Sequence, residues 1–98
     1  MDNSLELECM REPTYFKPKF RWLVVLENGD HLSHDDKPFY TKKTGPHLIK
    51  FKIMKNNPKA VIKEIRLYRR QDDIPQVNNK QTYKMIEKYD VDCEVISA

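Results

Sequence analysis

Residues 20–34 read Phe20-Arg21-Trp22-Leu23-Val24-Val25-Leu26-Glu27-Asn28-Gly29-Asp30-His31-Leu32-Ser33-His34, and they decide the fold. The apolar, β-branched run from Phe20 to Glu27 has the composition of a central strand buried on both faces. Asn-Gly populates the positive φ values that a two-residue type I′ turn requires, so a hairpin is expected at Asn28-Gly29.

Upstream, Leu5, Leu7 and Cys9 alternate with Glu6 and Glu8, the pattern of a short half-buried strand over 4–10. Pro13 and Pro18 bracket an extended link or turn. Downstream, residues 35–46 are polar and contain Asp35, Asp36, Pro38, Gly45 and Pro46. They read as a surface loop with Phe39 and Tyr40 as an anchor or contact point. From His47 to Lys55, Ile49, Phe51 and Ile53 alternate with Lys50 and Lys52, which predicts a strand. Asn56-Asn57-Pro58 makes a turn, and Ala60 to Arg70 reads as its partner strand. There Val61, Ile65 and Leu67 face one way and Glu64, Arg66, Tyr68 and Arg70 the other. Ile62 and Lys63 break that register and predict a bulge near them. Residues 47–70 thus read as one long hairpin with a basic face.

A loop over 71–78, with Asp72, Asp73 and Pro75, precedes a change of period. Thr82, Met85, Ile86 and Tyr89 stand at i, i+3, i+4 and i+7, the stripe of a short amphipathic helix capped by Asn78 or Asn79. Val91, Cys93 and Val95 then alternate with Asp92 and Glu94 as a last strand. The expected order is β-β-β-β-β-α-β. It describes an α+β domain: a mainly antiparallel sheet of about five to six strands with one short helix, in the C-terminal half, packed on it. A partly open small β-barrel is the second choice. The 98 residues fit a single domain, 1–98.

The net charge of +3 conceals a segregation. Residues 13–71 hold 14 Lys and Arg against 5 Asp and Glu, while 1–12 and 72–98 are each acidic by three charges. Two cysteines are too few for a secreted disulfide scaffold, and the polar opening Met1-Asp2-Asn3-Ser4 is unlike a signal peptide. No apolar run approaches the length of a membrane span. The expectation is a cytoplasmic protein with reduced thiols. Its wealth of Lys, Asn, Asp, Ile and Tyr fits AT-rich coding DNA, as in many phages and low-GC bacteria, and small accessory proteins of phages often have this size.

Constellations that carry chemistry are weak. His31 and His34 point to opposite faces if they lie on a strand, so a metal shared between them is disfavoured. Asp90, Asp92 and Glu94 share a face, but alternation on a strand explains that without a metal. Cys9 and Cys93 fall on the apolar phase of their strands, where burial makes a thiol inert. Ser4, Ser33 and Ser97 lie in no nucleophile elbow, and two glycines cannot build a phosphate loop. The reading is therefore not an enzyme, with no cofactor and no metal.

The basic centre is the informative feature. Lys50, Lys52, Lys63, Arg66, Tyr68 and Arg70 are expected on one hairpin face, with Phe39, Tyr40, Lys42 and Lys43 on the neighbouring loop. Such a surface fits a small non-catalytic binding protein, an inhibitor or adaptor docking on a larger protein as a monomer or homodimer, without a membrane. The alternative is a nucleic-acid-binding accessory protein. It would use the same cations for phosphates and the same rings for stacking.

Overall fold

A computed structural model describes residues 7–10, 18–75 and 81–97. Strand β2 (Phe20–Leu26) is the centre that its composition demands. Trp22 and Val24 are buried on one side, Leu23 and Val25 on the other. β3 (His31–Leu32) pairs antiparallel with one edge of β2, and β4 (Ile62–Arg70) with its other edge. The hairpin from β2 to β3 is present, but its connection has three residues rather than two. Leu26 and Asp30 close it, and Gly29, at φ 93°, takes the left-handed position that follows a type I turn.

β5 (Gln81–Asp90) pairs antiparallel with β4. Both β1 (Leu7–Met10) and β6 (Val95–Ser97) pair antiparallel with the far edge of β5. The order β1-β5-β4-β2-β3, with β6 beside β5, makes a sheet of six strands among the described residues, and it does not close into a barrel. With one α-helix laid on it, this is the α+β architecture expected.

The helix lies elsewhere in the chain than expected. α1 (Pro46–Asn56) occupies the segment read as a strand, and β5 occupies the segment read as a helix. Gly45, at φ 83°, turns the chain into α1, and Pro46 supplies a fixed φ where no intrahelical donor is needed. At the other end, the Asn57 backbone and side-chain N–H groups both donate to the Ile53 carbonyl, and Pro58 ends the run. In β5 a register shift leaves Ile86 unpaired opposite Leu67 and Tyr68. That extra residue turns a period-two pattern into one resembling a helix.

Ile49 and Ile53 of α1 pack with Trp22, Val24, Ile62, Ile65, Leu67 and Tyr89 to form the main core. The bulge expected near Ile62 and Lys63 is present: Val25 pairs with Glu64 and Leu26 with Ile62, so Lys63 is skipped. Ile62, not the exposed Val61, therefore enters the core. On the opposite face Leu23, Tyr68, Tyr83 and Met85 form a second cluster, and the Tyr83 hydroxyl donates to the Pro18 carbonyl at 2.6 Å.

The remaining segments differ in detail. Residues 37–44 form two short 3₁₀ helices, Lys37–Tyr40 and Lys42–Thr44, rather than an irregular loop. The turn at 71–75 leads into a strand, not a helix. Residues 91–94 form the turn between β5 and β6, so the last strand begins only at Val95. Leu5, Pro13, Tyr15, Asn78 and Asn79 lie outside the described residues. No helix among the described residues is long and apolar enough to cross a membrane.

Candidate functional site

The expected basic hairpin face does not exist, because its two halves belong to different elements. Lys50 and Lys52 lie on α1 and point to opposite flanks of it. Lys50 Nζ donates to the Val91 carbonyl at 2.7 Å, tying the helix to the turn between β5 and β6. Lys52 Nζ stands 3.8 Å from Asp36 Oδ2. Lys63 is the exposed bulge residue of β4.

Arg66, Tyr68 and Arg70 lie on the sheet face away from the helix. Tyr68 is fully buried. Arg66 Nε donates to Glu64 Oε2 at 2.5 Å, and its Nη1 donates to the Tyr68 hydroxyl at 3.1 Å. Lys88 Nζ reaches the other Glu64 oxygen at 4.0 Å. Burial works against the Arg66 charge, but the hydrogen bonds to Tyr68 and Glu64 outweigh it and hold its pKa above the usual value. Arg70 Nε is engaged by Asp72 Oδ1 at 2.5 Å. Arg66 and Tyr68 are thus members of a partly buried network, and Arg70 forms an exposed ion pair beside it.

The loop candidates divide in the same way. Phe39 is 1% exposed and belongs to the core beside Ile49 and Ile53. Tyr40 is half-buried, donates to Asp35 Oδ1 at 2.8 Å, and carries the Arg21 guanidinium 5.8 Å from its ring centroid. Lys42 and Lys43 are exposed, as a contact surface requires.

What the fold does assemble is a cationic outer layer over the sheet. Between Asp36 and Glu64 the chain contains eight lysines and no carboxylate. The layer is fastened from below. The Trp22 indole N–H donates to the Thr41 carbonyl at 2.8 Å, and the Thr44 hydroxyl donates to the Pro38 carbonyl at 2.6 Å. Asn56 Nδ2 and His34 Nε2 are 3.0 Å apart, closing the last turn of α1 against the segment after β3.

With Ile49 and Ile53 turned inward, helical spacing turns His47, Leu48, Phe51 and Lys55 outward. Phe51 is 62% and Leu48 42% exposed. The outer side of the helix thus carries two apolar residues among polar ones. Strand alternation assigns Phe51 to the core, so the exposure of Leu48 and Phe51 is not legible in that reading. The signals for a helix were Gly45-Pro46 before the run, Asn57-Pro58 after it, and the i, i+4 spacing of Ile49 and Ile53.

Asp90 and Cys93, read from the sequence as candidates for metal and thiol chemistry, lie at the turn between β5 and β6. The Asp90 carboxylate accepts the Asp92 and Glu94 amide hydrogens at 2.9 and 3.0 Å and so shapes the turn. Cys93 is a free, half-buried thiol in that turn, and burial pushes its pKa up. No group of three or more His, Cys, Asp or Glu suited to a metal occurs among the described residues.

Fold and surface together define a small α+β domain with a cationic, partly apolar helical face. No protein-family model, no curated protein and no solved structure matches this chain.

Proposed function

We propose that this is a small non-catalytic binding protein, of the inhibitor or adaptor kind, that docks on an acidic surface of a larger protein through the outer face of α1 and the adjoining 3₁₀ segment. The observation that carries the reading is the exposed pair Leu48 and Phe51 set among lysines, with no carboxylate between Asp36 and Glu64. Protein interfaces combine an apolar centre, which supplies most of the binding energy, with a polar rim that steers association. Leu48 and Phe51 provide the centre. Lys42, Lys43 and Lys55 provide a rim complementary to aspartate and glutamate. The free thiol of Cys93 fits a reducing, cytoplasmic setting.

The test places a photo-crosslinking phenylalanine analogue at position 51 in the native host, with an analogue at Val61 as control. The expected result is one discrete protein adduct at position 51, lost in Leu48→Ser and in Lys42→Glu/Lys43→Glu. Adducts that vanish with nuclease, together with oligonucleotide binding that falls steeply with salt, would replace the reading with nucleic-acid binding.

A further inference from the structure

At the end of the sheet that α1 leaves uncovered, Arg69 of β4 and Lys84 of β5 are direct register partners. Directly opposite residues of antiparallel strands share a face with Cβ atoms about 4.5–5.5 Å apart, and like charges set there repel. No hydrogen bond or ion pair among the described residues relieves either side chain. The two cations border a groove of about 590 Å³ whose lining includes Met85 and Ile86 from β5 and the turn residues Asp72 and Asp73.

Asp72 is already engaged by Arg70, and that bond, ahead of the field of Lys19 and Arg69, holds its carboxyl below the usual range. Beyond the Arg70–Asp72 pair, the charges at the groove among the described residues are Arg69 and Lys84 against the exposed Asp73.

We propose that this groove binds a small anionic ligand, a phosphate or carboxylate borne on an apolar body. Arg69 and Lys84 hold the anion, the guanidinium fork of Arg69 meeting two of its oxygens and the Lys84 ammonium sharing one of these in a carboxylate or meeting a third in a phosphate. Ile86, which borders the groove from the same face, receives the apolar part. The volume is that of a small-molecule site. Asp72 and Asp73 on the rim disfavour a nucleic-acid strand, because its successive phosphates would meet them. The ligand adds direct counter-charge to the Arg69–Lys84 pair, to which Asp72, bonded to Arg70, offers only its field, and so offsets the pair's repulsion in the complex. This site lies apart from the α1 face and does not rest on the docking function proposed for it.

The test is an amide-resolved NMR titration of the full chain with phenyl phosphate, benzoate and inorganic phosphate at constant ionic strength. The expected result is saturable shifts at residues 69–73 and 84–86, with phenyl phosphate or benzoate binding more tightly than inorganic phosphate. The tighter of those two identifies the anion. Arg69→Gln and Lys84→Gln should each weaken binding about tenfold, the worth of one charge-assisted hydrogen bond. Should Lys84→Gln fail to fold, Arg69→Gln at an exposed side chain carries the same test. Shifts that do not saturate, that spread over the lysines of residues 37–63, or that persist unchanged in Arg69→Gln would overturn the proposal.

Discussion

Gly29 and Cys93 occupy the same position in two turns of identical hydrogen bonding. Gly29 N–H donates to the Leu26 carbonyl and Cys93 N–H to the Asp90 carbonyl, both at 2.9 Å. Leu26 N–H then bonds Asp30 and Asp90 N–H bonds Glu94 to close each hairpin. Both residues have positive φ, 93° and 66°, and only the first lacks the Cβ that opposes it. Cys93→Gly should therefore stabilise the fold by about 0.5 kcal/mol, the relief of left-handed backbone exceeding the loss of a half-buried thiol. Gly29→Ala should destabilise it by about 1 kcal/mol, a conformational cost, since open space surrounds the position where the Cβ would stand. Urea denaturation of both variants checks the opposite signs.

The second prediction concerns the attachment of the cationic layer. Trp22 Nε1 is the hydrogen-bonding link from β2 to Thr41, and the Trp22 ring also packs on Tyr89 with centroids 5.9 Å apart. Trp22→Phe keeps an aromatic ring but strands the Thr41 carbonyl and leaves a void. It should cost about 2–3 kcal/mol. Hydrogen exchange should accelerate most over 37–44, the segment that bears Lys42 and Lys43. A uniform acceleration across the sheet would show that Trp22 serves the core alone.

The parts of the fold written in single, unambiguous patterns were legible. β2 is apolar on both faces, so no choice of register arises, and Asn28-Gly29 marks its turn. Ile62 and Lys63 announce their bulge because no alternation accommodates both. The helix and β5 were exchanged because each carries two periods at once. Ile49, Phe51 and Ile53 alternate, yet Ile49 and Ile53 also stand one helical turn apart, and only the exposure of Phe51 decides between them. In β5 the bulge at Ile86 places Thr82, Met85, Ile86 and Tyr89 at helical spacing within a strand. The concentration of charge in the middle of the chain was legible as a sum. Its placement was not, since Lys50 and Arg66 share a face only if residues 47–70 form a hairpin.

Arg66 offers a direct contrast between a binding and a structural cation. Glu64 is 8% exposed and depends on Arg66 and, more distantly, Lys88. Arg66→Met should destabilise by about 2–4 kcal/mol, because it leaves a buried carboxylate with only a remote partner. The double variant Glu64→Gln/Arg66→Met should recover more than half of that loss. A thermodynamic cycle on the two sites measures the coupling, and a coupling near zero would show that Glu64 is satisfied without Arg66.

Alkaline pH should weaken the fold through Tyr89. Burial, and the hydrogen bond its hydroxyl donates to Glu87, push its pKa up from 10.0 to about 12. The unfolded chain releases this proton first as pH rises, so between pH 10 and 12 the unfolded state binds fewer protons than the folded one. The contribution is therefore complete below pH 10 and is lost as pH climbs towards 12. Its size is at most about 3 kcal/mol for a shift of this extent, less after solvent screening. Tyr89→Phe removes the ionising group, so its stability should fall less steeply with pH in that window than that of the parent protein, although it starts lower because Glu87 loses a donor. Denaturant titrations of both proteins at several alkaline pH values measure the two slopes. Parallel slopes would mean that Tyr89 ionises in the folded protein as readily as in the unfolded chain.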